Sequence, residues 1–175
     1  MTGEFQFRAP KAEDIQKLAS LGSDTFIETF GPLYRKEDLD HFLEKSYSDT
    51  VIAADLADPR LAHRVIEFQN ELIAFIKVGP VHVPAKSPSP GAAEIWQIYV
   101  RQSFLGKGLG NRLINWALDY FESIEASEIY VSVFSENPKA IRFYEKYGFK
   151  KIDEYDFWVG DQIDLEWIMC KSPIG

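Results

Sequence analysis

Two rhythms of hydrophobic and polar residues run through this chain, and the places where they change mark its elements. Phe5 to Pro10 alternates with period two and predicts a first strand. From Lys11 to Phe30, Ile15, Leu18, Ala19, Phe26 and Ile27 recur at helical spacing, with Gly22 as a candidate kink and Gly31-Pro32 as the stop. Glu37 to Tyr47 predicts a second helix, with Leu39, Phe42 and Leu43 on one face, and Thr50 to Ala57 a short third one ended by Asp58-Pro59. His63 to Phe68 and Glu71 to Val78 read as a hairpin around Gln69-Asn70. Gly79 to Gly91 carries four prolines and no periodicity, so it is a surface loop, either a plain connector or part of a substrate entrance.

The second half keeps the same grammar. Ile95, Trp96, Ile98, Tyr99 and Val100 have the β-branched and aromatic composition of a buried strand. Leu109, Leu113, Ala117, Phe121 and Ile124 supply one face of a helix from Gly108 to Ala126. Glu128 to Phe134 is another strand. Asn137-Pro138 then opens a helix, because Asn caps well and Pro suits the first helical position. Ala140, Ile141, Tyr144 and Tyr147 line one side of it, and Gly148 stops it. Phe149 to Trp158 and Gln162 to Cys170 are closing strands joined at Gly160-Asp161. The order predicts a mixed α/β sheet with a strand–helix–strand crossover at its centre, in one domain over residues 1–175.

Composition narrows the function classes. With 46% hydrophobic residues in 175, burial can offset the entropy of ordering the chain. The net charge of −8 excludes a general nucleic-acid binder, which needs a basic footprint. It permits a cationic partner, although an acidic surface also simply keeps a protein soluble. Cys170 is the single cysteine, so no intramolecular disulfide forms, as suits a reducing compartment. No nucleophile motif surrounds it, and it reads as a strand residue. There is no apolar run of membrane-spanning length and no signal peptide at Met1-Thr2-Gly3-Glu4, so the expected location is cytoplasmic, with no membrane partner.

The chemistry concentrates in EIWQIYVRQSFLGKGLG, from Glu94 to Gly110. Three glycines at alternate positions follow a strand and open a helix. A helix start carries unpaired N–H groups and the positive end of the dipole, and glycine lets that backbone approach an anion. A phosphate-bearing ligand is the inference. The P-loop pattern fails, because no glycine is followed by Lys and then Ser or Thr. The dinucleotide pattern fails too, because Asn111 stands where its third glycine would be.

What remains closely resembles the pyrophosphate loop of the GNAT superfamily of N-acetyltransferases, [QR]-x-x-G-x-[GA], here Leu105-Gly106-Lys107-Gly108-Leu109-Gly110. Leu105 departs from the usual Gln or Arg, which touches one side-chain contact and leaves the backbone cradle intact. NPKAIRFYEKYGF, from Asn137 to Phe149, resembles the second GNAT signature, N-x-x-A-x-x-[FL]-Y-x-x-x-G-F, in register throughout. The resemblance implies a GNAT-like acyl-CoA N-acyltransferase fold, with a splayed central sheet whose V holds acetyl-CoA, and no metal. It implies direct transfer of acetyl to a primary amine.

The residue roles also follow from the resemblance. Tyr144 is the implied general acid at the coenzyme sulfur. An N–H near Ile98 polarises the thioester carbonyl, and Ile98, Tyr99 and Val100 pair with the pantetheine arm as an added strand. Gly106 to Asn111, including Lys107 and Leu109, hold the pyrophosphate, with the Lys107 side chain either near phosphate or in solvent. Asn137 contacts the coenzyme or an ordered water, caps its helix, or does both. A base must take the proton of an amine with an aqueous pKa near ~10. Glu94 stands where the family often places a carboxylate facing the acceptor, and it reads equally as a strand-end residue; Glu28 is the second candidate.

DTFIETFGPLYRKEDLDHFL, from Asp24 to Leu43, and FWVGDQIDLEWIMCK, from Phe157 to Lys171, look like the bacterial PaiA-type polyamine acetyltransferase branch. Asp24, Glu28, Glu37, Asp38 and Asp40 on the first two helices would attract a polycation, or would be ordinary solvated carboxylates. A polyamine is therefore the leading acceptor. A coenzyme-binding module without turnover and an enzyme acetylating peptides or proteins are the alternatives. Trp158 and Trp167 sit either at a homodimer face or within the sheet of a monomer.

Overall fold

The computed structural model describes residues 3–172; Met1 and Thr2 of the N-terminal reading lie outside the described residues. In chain order the elements are β1 (Gln6–Arg8), α1 (Ile15–Phe30), α2 (Lys36–Tyr47), α3 (Asp49–Ala57), β2 (Ala62–Phe68) and β3 (Glu71–Pro80). Then come β4 (Ala93–Val100), α4 (Leu109–Ser123), β5 (Ile129–Phe134), α5 (Pro138–Lys146), β6 (Lys150–Val159) and β7 (Gln162–Lys171). The strands form one seven-stranded sheet in the order β1-β2-β3-β4-β5-β7-β6. Only β4 and β5 run parallel, joined by α4 as the crossover. The predicted mixed α/β architecture is present.

Local chemistry explains the boundaries. Gln69 and Asn70 both take positive φ, 51° and 67°, as the two-residue turn of a twisted hairpin requires. Ser48 caps α3 by accepting a hydrogen bond from Val51 N. The kink expected at Gly22 is absent, and α1 runs unbroken through it. Gly22 is there for contact: a Cβ would lie 2.3 Å from a ring carbon of Tyr47, at the end of α2.

The sheet buries both faces. Leu113, Ile114, Ala117 and Phe121 of α4 pack with Ile76, Ile95, Ile129 and Val131 on one side, joined by Ile141 and Tyr144 of α5. Leu18, Leu21 and Phe26 of α1, with Tyr47 and Ile52, cover Val65, Leu72 and Phe75 on the other. Each such side chain contributes roughly 1.5–3 kcal/mol relative to exposure. Trp167 packs against the first of these clusters and Trp158 is 58% exposed. No helix among the described residues is long and apolar enough to cross a membrane.

One seam of the sheet opens. The β4–β5 ladder consists of Ala93 opposite Ile129, Glu94 opposite Tyr130 and Ile95 opposite Val131. Beyond it, Gln97–Val100 pairs only with β3, and Ser132–Phe134 only with β7. The parting coincides with a bulge. Val78 of β3 faces Ile95 while Lys77 faces Gln97, so Trp96 is the extra residue. A bulge bends its strand and sharpens the local twist, and β4 turns away from β5 at that point.

Candidate active site

The open end of the seam offers free backbone. Arg101 N donates to Ile73 O at 2.9 Å. By the alternation of an antiparallel ladder, Tyr99 and Arg101 therefore face β3, while Ile98 and Val100 direct their N–H and C=O groups into the gap. An extended ligand lying there would complete the ladder as a strand.

The glycine loop lies at the end of this strand. A 3-10 turn, Gln102–Phe104, leads to Leu105, which is 45% exposed. Gly106 and Gly108 take φ of 76° and 75°, values that strain any residue with a Cβ. A Cβ at either would meet no protein atom within 4 Å, so the space in front of the loop is open. The start of α4 closes with Arg112 N donating to Gly108 O, and among the described residues no turn or loop bond takes the amides from Gly106 to Asn111. These amides are free for an anion at the positive end of a 15-residue helix, and they fit a pyrophosphate. Lys107 is exposed, Gly110 lies under the Phe143 ring, and Asn111 Oδ1 accepts a hydrogen bond from the Tyr147 hydroxyl at 2.7 Å.

Asn137 caps α5, its Oδ1 accepting from Ala140 N at 3.2 Å. Tyr144 is 6% exposed and packs edge-on against Phe143 and Phe149. Among the described residues nothing is hydrogen-bonded to its hydroxyl. Burial holds its pKa above the ordinary phenol value, and the charge environment at Tyr99 and Glu166 adds to the effect. Tyr99 packs with the α1 cluster, on the face of the sheet opposite α5.

Of the two carboxylates expected to serve as base, Glu94 is enclosed and Glu28 is exposed with one oxygen engaged. Glu94 sits at the closed end of the seam and is 1% exposed. Its Oε2 accepts from His82 N at 2.7 Å and Val83 N at 3.0 Å, and its Oε1 pairs with His82 Nδ1 at 2.8 Å. It fastens the proline-rich loop to the sheet, so that loop is a packed cover. Glu28 Oε2 accepts from Gln102 N at 2.8 Å and so holds α1 to the turn before the glycine loop. The other helix carboxylates are also engaged, apart from exposed Glu37: Asp24 with Arg101, Asp38 with Arg35 and Asp161 N, Asp40 with Lys36.

The acidity facing the open end comes from β7. Asp164 is 8% exposed and accepts a hydrogen bond from the Tyr34 hydroxyl. Glu166 lies between Phe134 of β5 and Tyr155 of β6 in the ladder, and its Oε2 accepts from Ser132 Oγ at 2.9 Å. Burial pushes its pKa up to about 7, with Asp164 adding to the rise and Ser132 opposing it. Phe30 stands edge-on to Phe134 at 6.0 Å and roofs this corner. The sequence does carry a signal for it. In β7 the alternation is inverted, with Asp164 inside and Ile163 and Leu165 48% and 40% exposed. Polar-in, apolar-out alternation is costly unless the buried carboxylates have partners or work to do.

The comparisons agree with this geometry. The sequence model of the family described as "Acetyltransferase (GNAT) family" matches residues 23–149. An uncharacterized N-acetyltransferase in the pepI 3′ region of Lactobacillus delbrueckii subsp. lactis is 26% identical over 162 residues, covering 93% of this chain and 94% of the relative. The spermidine N(1)-acetyltransferase of Vibrio cholerae is 29% identical over 150 residues, covering 85% of this chain and 80% of the relative. In three dimensions the chain resembles the PaiA N-acetyltransferase of Thermoplasma acidophilum, solved in complex with coenzyme A. The TM-score is 0.77 at 21% identity, over 97% of this chain and 99% of the other.

Proposed function

We propose an acceptor and a mechanism for this chain, which belongs to the acetyltransferase (GNAT) family and is an acetyl-CoA-dependent N-acetyltransferase. The acceptor is a small primary amine, with a polyamine the leading candidate, and the transfer is direct, within a ternary complex. The observation that carries the reading is the parted β4–β5 seam, with the free amides of Ile98 and Val100 on one side and the unbonded Tyr144 hydroxyl on the other.

Acetyl-CoA supplies an acetyl group activated as a thioester. The amides from Gly106 to Asn111 hold its pyrophosphate, and Ile98 to Val100 hold its pantetheine arm as an added strand. The N–H of Ile98 donates to the thioester carbonyl oxygen, where negative charge develops. Tyr144, kept protonated by its burial, donates to the sulfur as the carbon–sulfur bond breaks. Asn137 shapes the site by capping the helix that carries Tyr144. The polyamine reading is supported by spermidine N(1)-acetyltransferases among the relatives and by the paired acids of β7.

The test follows free thiol released from acetyl-CoA against polyamines, aminoglycosides, amino acids and a peptide pool. The expected result is the highest kcat/KM with a polyamine. Turnover confined to peptides would replace the acceptor. Stabilisation by acetyl-CoA without thiol release from any amine would make the chain a coenzyme-binding module.

A further inference from the structure

We propose that Glu166 is the group that takes the proton from the acceptor's ammonium, in a seat formed with Asp164, Tyr34, Tyr99 and Phe134. The inference rests on the acetyl-transfer reading above and adds the base that reading lacks. Position carries it. Glu166 is opposite Phe134, the last residue of β5, where β4 no longer pairs with β5. Trp167 packs into the cluster that holds Tyr144 on the α5 side, so by strand alternation Glu166 faces the opposite, α1 side of the sheet. In the ladder it lies between Phe134 and Tyr155, with Ser132 Oγ on its Oε2, at the end where β4 and β5 have parted.

Its surroundings suit the task. Only one partner, Ser132, is hydrogen-bonded to the Glu166 carboxylate among the described residues, through Oε2. The groups around it are Ser132 from β5, Tyr155 from β6 and Asp164 from β7, and its charge is also felt at Tyr34, Tyr99 and Tyr144. Tyr34 closes the corner by donating to Asp164. No cation among them pairs with Glu166. A half-buried carboxylate without a cation attracts one, and aromatic rings such as Phe30, Phe134 and Tyr99 favour an ammonium head. A carboxyl titrating near 7 is matched to proton abstraction at neutral pH, where an ordinary glutamate would be too weak a base. Glu94 offers the contrast, because its oxygens are already taken by the cover loop.

The proton balance closes. One proton passes from the ammonium nitrogen to Glu166 and on to solvent. The nitrogen lone pair forms the bond to the acetyl carbon, and the carbon–sulfur bond breaks. The second nitrogen proton replaces the one that Tyr144 delivers to sulfur. The products are the acetamide, the free thiol and one proton released.

The experiment compares wild type with Glu166→Gln, which keeps the shape and removes the basic group. Turnover is measured as thiol release with the best panel amine from about pH 5.5 to 9, and acetyl-CoA binding by thermal shift. The variant is expected to bind acetyl-CoA as wild type does, lose roughly a hundredfold or more in kcat/KM, and lose the limb of the profile near pH 7. With trifluoroethylamine, a weakly basic amine already neutral at assay pH, the deficit should shrink to less than tenfold. A wild-type rate and an unchanged pH limb in Glu166→Gln would overturn the assignment while the acetyl-transfer reading stood. An equal deficit for both amines would also overturn it, by giving Glu166 a structural role. A wild type that releases no thiol with any amine would overturn the reading itself and this inference with it.

Discussion

The two ends of the β4–β5 seam use the same materials to opposite effect. At the closed end, Glu94 is buried, and two loop amides and a histidine ring satisfy it. At the open end, Glu166 is bonded by a single serine hydroxyl and is held near neutrality by its surroundings. A saturated carboxylate fixes structure, because every lone pair it commits to the fold is lost to chemistry. An unsaturated one in a half-buried place keeps a free-energy reserve that a ligand's proton or charge can draw on. The strand ladder decides which end is which. Three residue pairs zip the seam, and the bulge at Trp96 then releases it.

That contrast can be tested from the open end first. Tyr144→Phe removes the hydroxyl proposed to protonate the sulfur and should lower kcat by roughly 10²–10⁴-fold while acetyl-CoA affinity stays within about twofold. Steady-state rates beside a binding titration check it, and near-normal turnover would take Tyr144 out of the reaction. Gly108→Asp puts a carboxylate into the open space before the glycine loop. It should weaken acetyl-CoA binding roughly a hundredfold, read by calorimetry. Unchanged affinity would mean the phosphates bind elsewhere.

The next two predictions set the carboxylates against each other. Glu166 has its folded pKa raised to about 7, above the ordinary glutamate value of 4.5. The native state therefore binds the extra proton, and its contribution to stability is present below about pH 4.5 and lost as pH rises through about 7. Glu166→Gln should thus stabilise the free protein by about 2–3 kcal/mol at about pH 8 and leave it nearly unchanged at about pH 5, by urea unfolding. Glu94→Gln should do the reverse. It loses charge-assisted bonds to the His82 and Val83 amides and should cost about 1–3 kcal/mol at neutral pH. It should leave the pH limb of turnover in place. A loss of that limb in Glu94→Gln would return the base to the closed end.

The smallest effect sharpens the picture. Ser132→Ala deletes the one hydrogen bond that favours ionised Glu166. The limb of the rate profile should move to higher pH by less than about one unit, with little change in the plateau rate. A downward shift would contradict the sign of the Ser132 interaction.

Most of the fold was readable because local rules and burial agree there. Asn137-Pro138 starts a helix by its own chemistry, and Gln69-Asn70 makes a hairpin turn, wherever those residues sit. The glycine loop was readable for the same reason, since positive φ at Gly106 and Gly108 is a local demand. Gly22 was misjudged as a kink because its reason is a ring 25 residues away in sequence, at Tyr47. The sequence left the helix carboxylates as a polycation lure or a solvated face, and the partners of Asp24 and Asp38 on Arg101 and Asp161 come from distant segments.

The sequence by itself determined the order of elements, the glycine loop at the start of α4 and the place of Tyr144 on its helix. Each depends on contacts within a turn or two of chain. Only the tertiary structure decided which carboxylate stays available. Burial and hydrogen-bond satisfaction depend on residues that meet through space. Glu94 meets loop amides 11 and 12 positions before it, while Glu166 meets Ser132, 34 positions before it, across a sheet that has come apart beside them.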